Sequence, residues 1–290
     1  PGALLNSLQT WLMGVNKASG RTINIDGKTI RGSACQGRNG AHIVSAWVSA
    51  QNMVLGQVKV GEKSNEITAI PELLDSLDVK GDRITIDAKE CQTDIAAKIR
   101  EKGANYVLSV KENQPTLYRE TTEYFDCVEQ DWGRNPPTDV WRSGLEKDHG
   151  RRESREVLTE EDIGWLNGKE KWKDIRTIIL YRRRCVENGK TTVDKRYYIS
   201  NRALDAEEAA HIILGHRSIE NRLHRFPDVC FGEDGCRART NHAAENLNLM
   251  RKAALHLPRK TAVAEKRFSV QRKTFRATFS DDFLYHALFG

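Results

Sequence analysis

Two short stretches decide the fold: Thr22-Ile23-Asn24-Ile25-Asp26-Gly27 and Arg83-Ile84-Thr85-Ile86-Asp87. Both are rich in β-branched residues in alternation and both close on an aspartate, so each reads as a strand that delivers a carboxylate to its tip. Two further strand-like runs follow the first, Ala41 to Ala50 and Met53 to Val60, and suggest an antiparallel meander. Asn65 to Leu77 then carries Ile67, Ile70, Leu73, Leu74 and Leu77 at helical spacing and leads into the second stretch. Asp94 to Lys102 reads as a helix stopped by Gly103, Tyr106 to Val110 as a strand, and Thr116 to Val128 as a helix.

Three strands, helix, strand, helix, strand, helix predicts the α/β class and a ribonuclease-H-like core. Its sheet is expected to be mixed and five-stranded, flanked by helices, with the meander's first strand central and parallel strands added through helical crossovers. The first and fourth strands would lie side by side, which would bring Asp26 and Asp87 together at one edge. Between about 130 and 200 the sequence turns charged and strand-rich (Asp139 to Trp141, Ser154 to Leu158, Ile175 to Arg183, Arg196 to Ser200), a β-rich insertion ahead of the last core helices. Ala206 to Leu214, Ser218 to Phe226 and the amphipathic Ala243 to Leu257 read as helices. The expected division is thus the end of a truncated helical region at 1–20, the core at 21–129, the insertion at 130–200, the C-terminal core helices at 201–257 and a basic tail at 258–290.

A hydrophobic share of 39% and a charged share of 30% over 290 residues suit a folded globular protein and argue against disorder. No long apolar run or signal peptide is visible and Cys35, Cys91, Cys127, Cys185, Cys230 and Cys236 form no CxxC pair, so a cytoplasmic protein with free thiols and no membrane partner is expected. Cys230 and Cys236 with His242 fit no compact zinc finger. The net charge of +6 permits a polyanionic partner, and the last quarter, from Arg217 through Arg276, is the basic end.

Asp26-Gly27 alone reads as a turn former. Paired with Asp87 at a neighbouring strand tip, it would repel unless a cation lay between the two. Oxygen-only ligands favour Mg²⁺ or Mn²⁺, and phosphoryl transfer is the natural chemistry. For a third carboxylate the segment Gly215 to Asp234 offers Glu220, Asp228, Glu233 and Asp234.

That segment, with His216, Ile219-Glu220-Asn221, Leu223-His224, Asp228-Val229, Phe231 and Glu233-Asp234, resembles the signature HWxIENxLHWxLDVxFxED of the H-repeat-associated transposases, the ISAs group of insertion-sequence DDE enzymes. Asp26 to Ser33 resembles the family's DGKxxRGS, Asp87-Ala88 with Cys91-Gln92 its DAxxCQ, and Val110 to Pro115 its VKxNQP. His149-Gly150-Arg151 with Glu153 and Arg155 resembles HGRxExR, and Asn241 to Leu255 the closing helix NxAENLxxLRxxAL. The motifs run collinearly over nearly the whole chain.

The resemblance implies that Asp26, Asp87 and Glu220 are the catalytic acids and metal ligands. It also implies a DNA transposase that cuts the end of an insertion sequence with water and joins the freed 3′-hydroxyl to target DNA, with double-stranded DNA as partner and, by analogy, a homodimer or larger multimer. Lys28, Arg31, Lys111, Asn113, Gln114, Arg151 and Arg155 are the candidates for the DNA backbone. His216 and His224, each four residues from Glu220, would orient the carboxylate or meet phosphate. Arg217 and Arg225 stand where the family usually has tryptophan, and Pro227 where an apolar helix residue is expected. The rival readings are therefore a catalytically impaired remnant that still binds DNA, and a nuclease of the same fold without strand transfer.

Overall fold

The computed structural model of the chain describes residues 2–4, 7, 20–61, 64–133, 136–148, 150–219, 223–260 and 269–289. The apolar residues Leu5, Leu8, Trp11 and Leu12, the third acid Glu220, the motif residue His149, and Lys266 and Arg267 of the tail lie outside the described residues. The chain divides into two compact units.

One unit gathers Pro1–Ala18, Asn24–Leu77 and Arg217–Gly290. Its strands are β1 (Thr22–Ile30), β2 (Ala41–Val48) and β3 (Met53–Lys59), in the order β3-β2-β1, with β2 and β3 antiparallel. Helix α1 (Glu66–Asp75) starts at Asn65, whose side chain accepts the Thr68 N–H and so satisfies one of the amides a helix start leaves open. It packs on β2 and β3 and buries Ala69, Ile70, Leu73 and Leu74, each large side chain contributing roughly 1.5–3 kcal/mol. β1 does not stop at Asp26 as expected from the following glycine. It runs on to Ile30, because Gly27 answers to crowding rather than to a turn: a Cβ there would stand 2.4 Å from Glu66 Oε1 and 2.6 Å from His42 Nε2.

The other unit gathers Ser19–Ile23 and Asp78–His216. β4 (Arg83–Ile86) and β5 (Asn105–Val110) are parallel, joined through α2 (Thr93–Glu101), and Ile86 stands opposite Leu108. The start of β1 belongs here as well, where the Arg83 N–H donates to the Arg21 carbonyl at 2.8 Å beside β4. α3 (Pro115–Gln130) opens with proline in its first turn, where the missing N–H leaves no bond unmade.

β6 (Asp139–Arg142), β7 (Glu146–Asp148), β8 (Arg151–Glu160), β9 (Thr177–Glu187) and β10 (Lys190–Ser200) follow α3. The order in this unit is β4-β5-β10-β9-β8-β6, with β7 on β8. The sheet therefore extends past the five strands expected, since β10 bonds antiparallel to β5 from Tyr197 opposite Val110 to Ser200 opposite Val107. Asn188-Gly189, both at positive φ, make the tight turn between β9 and β10. α4 (Ala206–Ile219) lays Ala206, Ala209, Ala210, Ile212 and Ile213 into a core with Val107, Val157, Ile179, Tyr181 and Tyr198. Helices and mixed strands in this order form an α/β protein of ribonuclease-H-like connectivity.

α5 (Arg225–Phe231), α6 (Ala243–Lys260), α7 (Val270–Ala277) and α8 (Asp281–Phe289) belong to the first unit. Pro227 was expected to mark the end of a helix, yet it stands third in α5, which continues to Gly232 at φ +55. Proline has no N–H to give to the carbonyl four residues back, and the turn there, Leu223 and His224, is wound as a π-turn.

Candidate catalytic and DNA-binding residues

Asp26 is half-buried on β1, and its Oδ1 accepts its neighbour Gly27's N–H at 2.9 Å. Its Oδ2 lies 3.0 Å from Nε2 of His224 in the same unit. An ionised carboxylate only accepts hydrogen bonds, so the imidazole donates from Nε2. His224 is 6% exposed, which removes its ring from solvent, and its Nδ1 has no hydrogen-bond partner among the described residues.

Lys28, two positions further on β1, donates from Nζ to the His224 carbonyl at 2.7 Å and stands 3.1 Å from Oε2 of Glu233. Glu233 is fully buried, its Oε1 accepts the Asn248 amide at 2.8 Å, and Arg251 approaches to 3.8 Å. Burying a carboxylate is costly, and here the Asn248 amide on one oxygen and the charges of Lys28 and Arg251 offset that cost. Close by, Lys252 is buried and donates to Ser45 Oγ at 2.6 Å and to Gln57 Oε1 at 2.9 Å. Burial pulls its ammonium down to about 7, with Glu233 opposing the fall and Lys28 adding to it.

The other acids of the signature segment have local duties. Asp228 Oδ1 accepts the Asp234 N–H at 3.1 Å, and Asp234 Oδ1 accepts the Arg31 N–H at 3.3 Å. Gly32 lets the two turns approach, since a Cβ there would lie 2.4 Å from the Cys236 carbonyl oxygen. The Arg31 guanidinium is 84% exposed and 3.9 Å from Asp234. Ile219 and Leu223, which flank Glu220 in sequence, are buried with Trp47 and Val54. Sequence reasoning named neither Trp47 nor Val54 as the anchor; both appeared only as members of strand-like runs.

In the other unit, Asp87 leaves β4 and opens the 3-10 turn Ala88–Glu90. Its carboxylate is half-buried and takes no hydrogen bond or ion pair among the described residues. Asn113 donates to the Ala88 carbonyl at 2.8 Å and Gln114 to the Cys91 carbonyl at 2.9 Å, so both amides named as DNA contacts hold the turn that follows Asp87. Thr85 Oγ1, two residues before Asp87, lies 2.7 Å from Nδ1 of His216.

A cleft of about 560 Å³ is lined by Lys89, Lys111, Asn113, Tyr118, Asp194 and Arg196, among others. The Lys111 side chain is exposed there. Arg155 is spent on Glu146 and Glu153 at 2.7 and 2.6 Å, while Arg151 bonds Cys185 Sγ at 2.9 Å and remains 43% exposed. Among the described residues no group of three or more His, Cys, Asp or Glu side chains is arranged to hold a metal. The donor chemistry of the two aspartates nevertheless fits a hard divalent cation, which takes oxygen ligands from one or two carboxylates. No helix of the described residues is long and apolar enough to cross a membrane.

β1 carries Asp26 and β4 leads into Asp87, the positions expected from the sequence. The family model described as the transposase DDE domain matches residues 17–257, and the chain belongs to that family. It is 41% identical over 273 residues to YncI of Escherichia coli O157:H7, provisionally named a transposase, covering 88% of this chain and 67% of that one. It is 37% identical over 275 residues to YhhI of E. coli strain K12, an H repeat-associated protein likewise provisionally named a transposase, covering 92% of this chain and 71% of that one. Among solved structures it is similar to the piggyBac transposase in a synaptic complex with hairpin DNA, at 12% identity and a TM-score of 0.46, covering 94% of this chain and 55% of that one.

Proposed function

We propose that the protein is a DNA transposase of the H-repeat-associated kind, cutting the ends of an insertion sequence and joining them to target DNA with Mg²⁺ or Mn²⁺ held by Asp26, Asp87 and Glu220. The observation that carries the reading is a half-buried Asp87 carboxylate that takes no hydrogen bond among the described residues, with the Arg196 charge nearby, in a chain whose match to the transposase DDE domain spans residues 17–257. A hard divalent cation would take such a carboxylate as an oxygen ligand. When bound, the divalent ions would supply charge neutralisation at the attacking and leaving oxygens of the phosphodiester.

The chain's own part is positioning. Asn113 and Gln114 hold the turn behind Asp87, and His224 and the Gly27 amide fix the two oxygens of Asp26. A water oxygen attacks phosphorus and the bond to the 3′-oxygen breaks, leaving a 3′-hydroxyl; that hydroxyl then attacks a target phosphodiester and displaces its 3′-oxygen. Double-stranded DNA is the partner, with the exposed Arg31, Lys111 and Arg151 as phosphate contacts, in a homodimer or larger assembly. The substitution of the family's tryptophans by Arg217 and Arg225 is compatible with activity, because Ile219 and Leu223 already dock on Trp47 and Val54.

The test is incubation of the chain with supercoiled DNA carrying the element's terminal inverted repeats and Mg²⁺ or Mn²⁺. We expect cleavage leaving 3′-hydroxyl ends, and its loss, with DNA binding retained, in Asp26→Asn, Asp87→Asn and Glu220→Gln. Binding without cleavage by the unaltered chain would instead identify a silent remnant, and cleavage without joining a nuclease.

A further inference from the structure

We propose that His224 is a positioning residue for Asp26, and that the ion pair of half-buried Lys28 with buried Glu233 is the clamp that keeps it there. The inference rests on the proposed role of Asp26 as a metal ligand. All the groups concerned lie in one unit, so the argument is local to it.

Three observations converge. The His224 ring is buried and donates to Asp26 Oδ2 at 3.0 Å. With one oxygen held by the Gly27 amide and the other by the imidazole, the carboxylate has a fixed plane, and its remaining lone pairs point in set directions. His224 also lies in the π-turn that leads into α5, a rare backbone form that occurs mostly as a single turn.

What holds that turn is Lys28, from the same strand as Asp26. Its ammonium donates to the His224 carbonyl at 2.7 Å and faces Glu233 at 3.1 Å. Glu233 is itself fixed by Asn248 from α6 and approached by Arg251. Ligand, orienting ring, lysine and buried acid thus form a closed loop from Asp26 to His224 to Lys28 and back along β1. The burial of Lys28's partner also decides the lysine's job: an ammonium engaged on a buried carboxylate and a carbonyl is not available to DNA phosphate. Groups that orient metal ligands in this way typically change metal affinity or activity by about 10–100-fold when removed.

The test is Mn²⁺ binding to the full chain by electron paramagnetic resonance, without DNA, alongside thermal unfolding. His224→Leu should weaken Mn²⁺ binding by about 10-fold or more. His224→Gln, which keeps an N–H at the position of Nε2, should restore most of it. Lys28→Gln should weaken binding in the same sense although it touches no metal ligand. A His224→Leu chain that binds Mn²⁺ as tightly as the unaltered one, while Asp26→Asn does not bind, overturns the positioning role alone. Unchanged binding in Asp26→Asn, or none in the unaltered chain, overturns the metal reading and the positioning role with it. Equal weakening by Gln and Leu at position 224, tracking lost thermal stability, would reduce His224 to a packing residue and also overturn the proposal.

Discussion

Replacing Lys252 by methionine should change how stability responds to pH more than it changes stability itself. Lys252 is buried, and burial brings its ammonium from 10.5 to about 7. Converted at about 1.4 kcal/mol per pH unit, that fall corresponds to an upper bound of about 5 kcal/mol. Between the two values the unfolded chain holds a proton that the folded chain has released. Stability contributed by this position therefore rises as pH climbs from about 7 toward 10.5, and below about 7 the burial penalty is present in full. Methionine fills a similar volume and carries no proton. Its own cost, the loss of the donor to Ser45 and Gln57, is about 1–3 kcal/mol per orphaned group and does not vary with pH.

Urea unfolding of both chains at several values between about pH 6 and pH 9 isolates the difference. The unaltered chain should gain on Lys252→Met by about 2 kcal/mol over the upper two pH units, with no change in the difference below pH 7. A difference that stays flat across the range would refute the reasoning, and would mean that the charged ammonium is retained in the fold by Glu233 and its two oxygen acceptors.

Gly27→Ala should destabilise the chain by about 1–3 kcal/mol, since the new Cβ would stand 2.4 Å from Glu66 Oε1, and thermal unfolding with the double variant Gly27→Ala, Glu66→Ala should recover part of the loss. An unchanged melting temperature in the single variant would show that the carboxylate swings aside. Arg31→Ala, which removes an exposed guanidinium, should lower the slope of log affinity for duplex DNA against log salt by about 1 and leave unfolding unaffected; an unaltered slope would exclude a phosphate contact.

The strands were legible because Ile-x-Ile-Asp and the runs around Trp47 and Val54 carry their own period, and the helices because their apolar residues recur at the helical spacing. The strand through Asp26 was judged too short, since the reason for Gly27 lies in His42 and Glu66, which local pattern does not connect to it. Lys28, Asn113 and Gln114 were recognised as motif residues, but their partners, Glu233, Ala88 and Cys91, follow from how loops meet. His224 was singled out by its helical spacing from Glu220, while the residue its ring meets is 198 positions away. Pro227 illustrates the reverse case: its effect on backbone bonding was foreseeable, and only its place within the helix was not.

The antiparallel register of Tyr197 to Ser200 on β5 has an evolutionary and practical corollary. A hairpin stitched to its host by a ladder is no removable cassette. Excising residues 131–200 would strip β5 of its neighbour and leave a row of naked amides and carbonyls, a template for chain-to-chain sticking. Shortening the loops at its far end is the edit such a molecule tolerates.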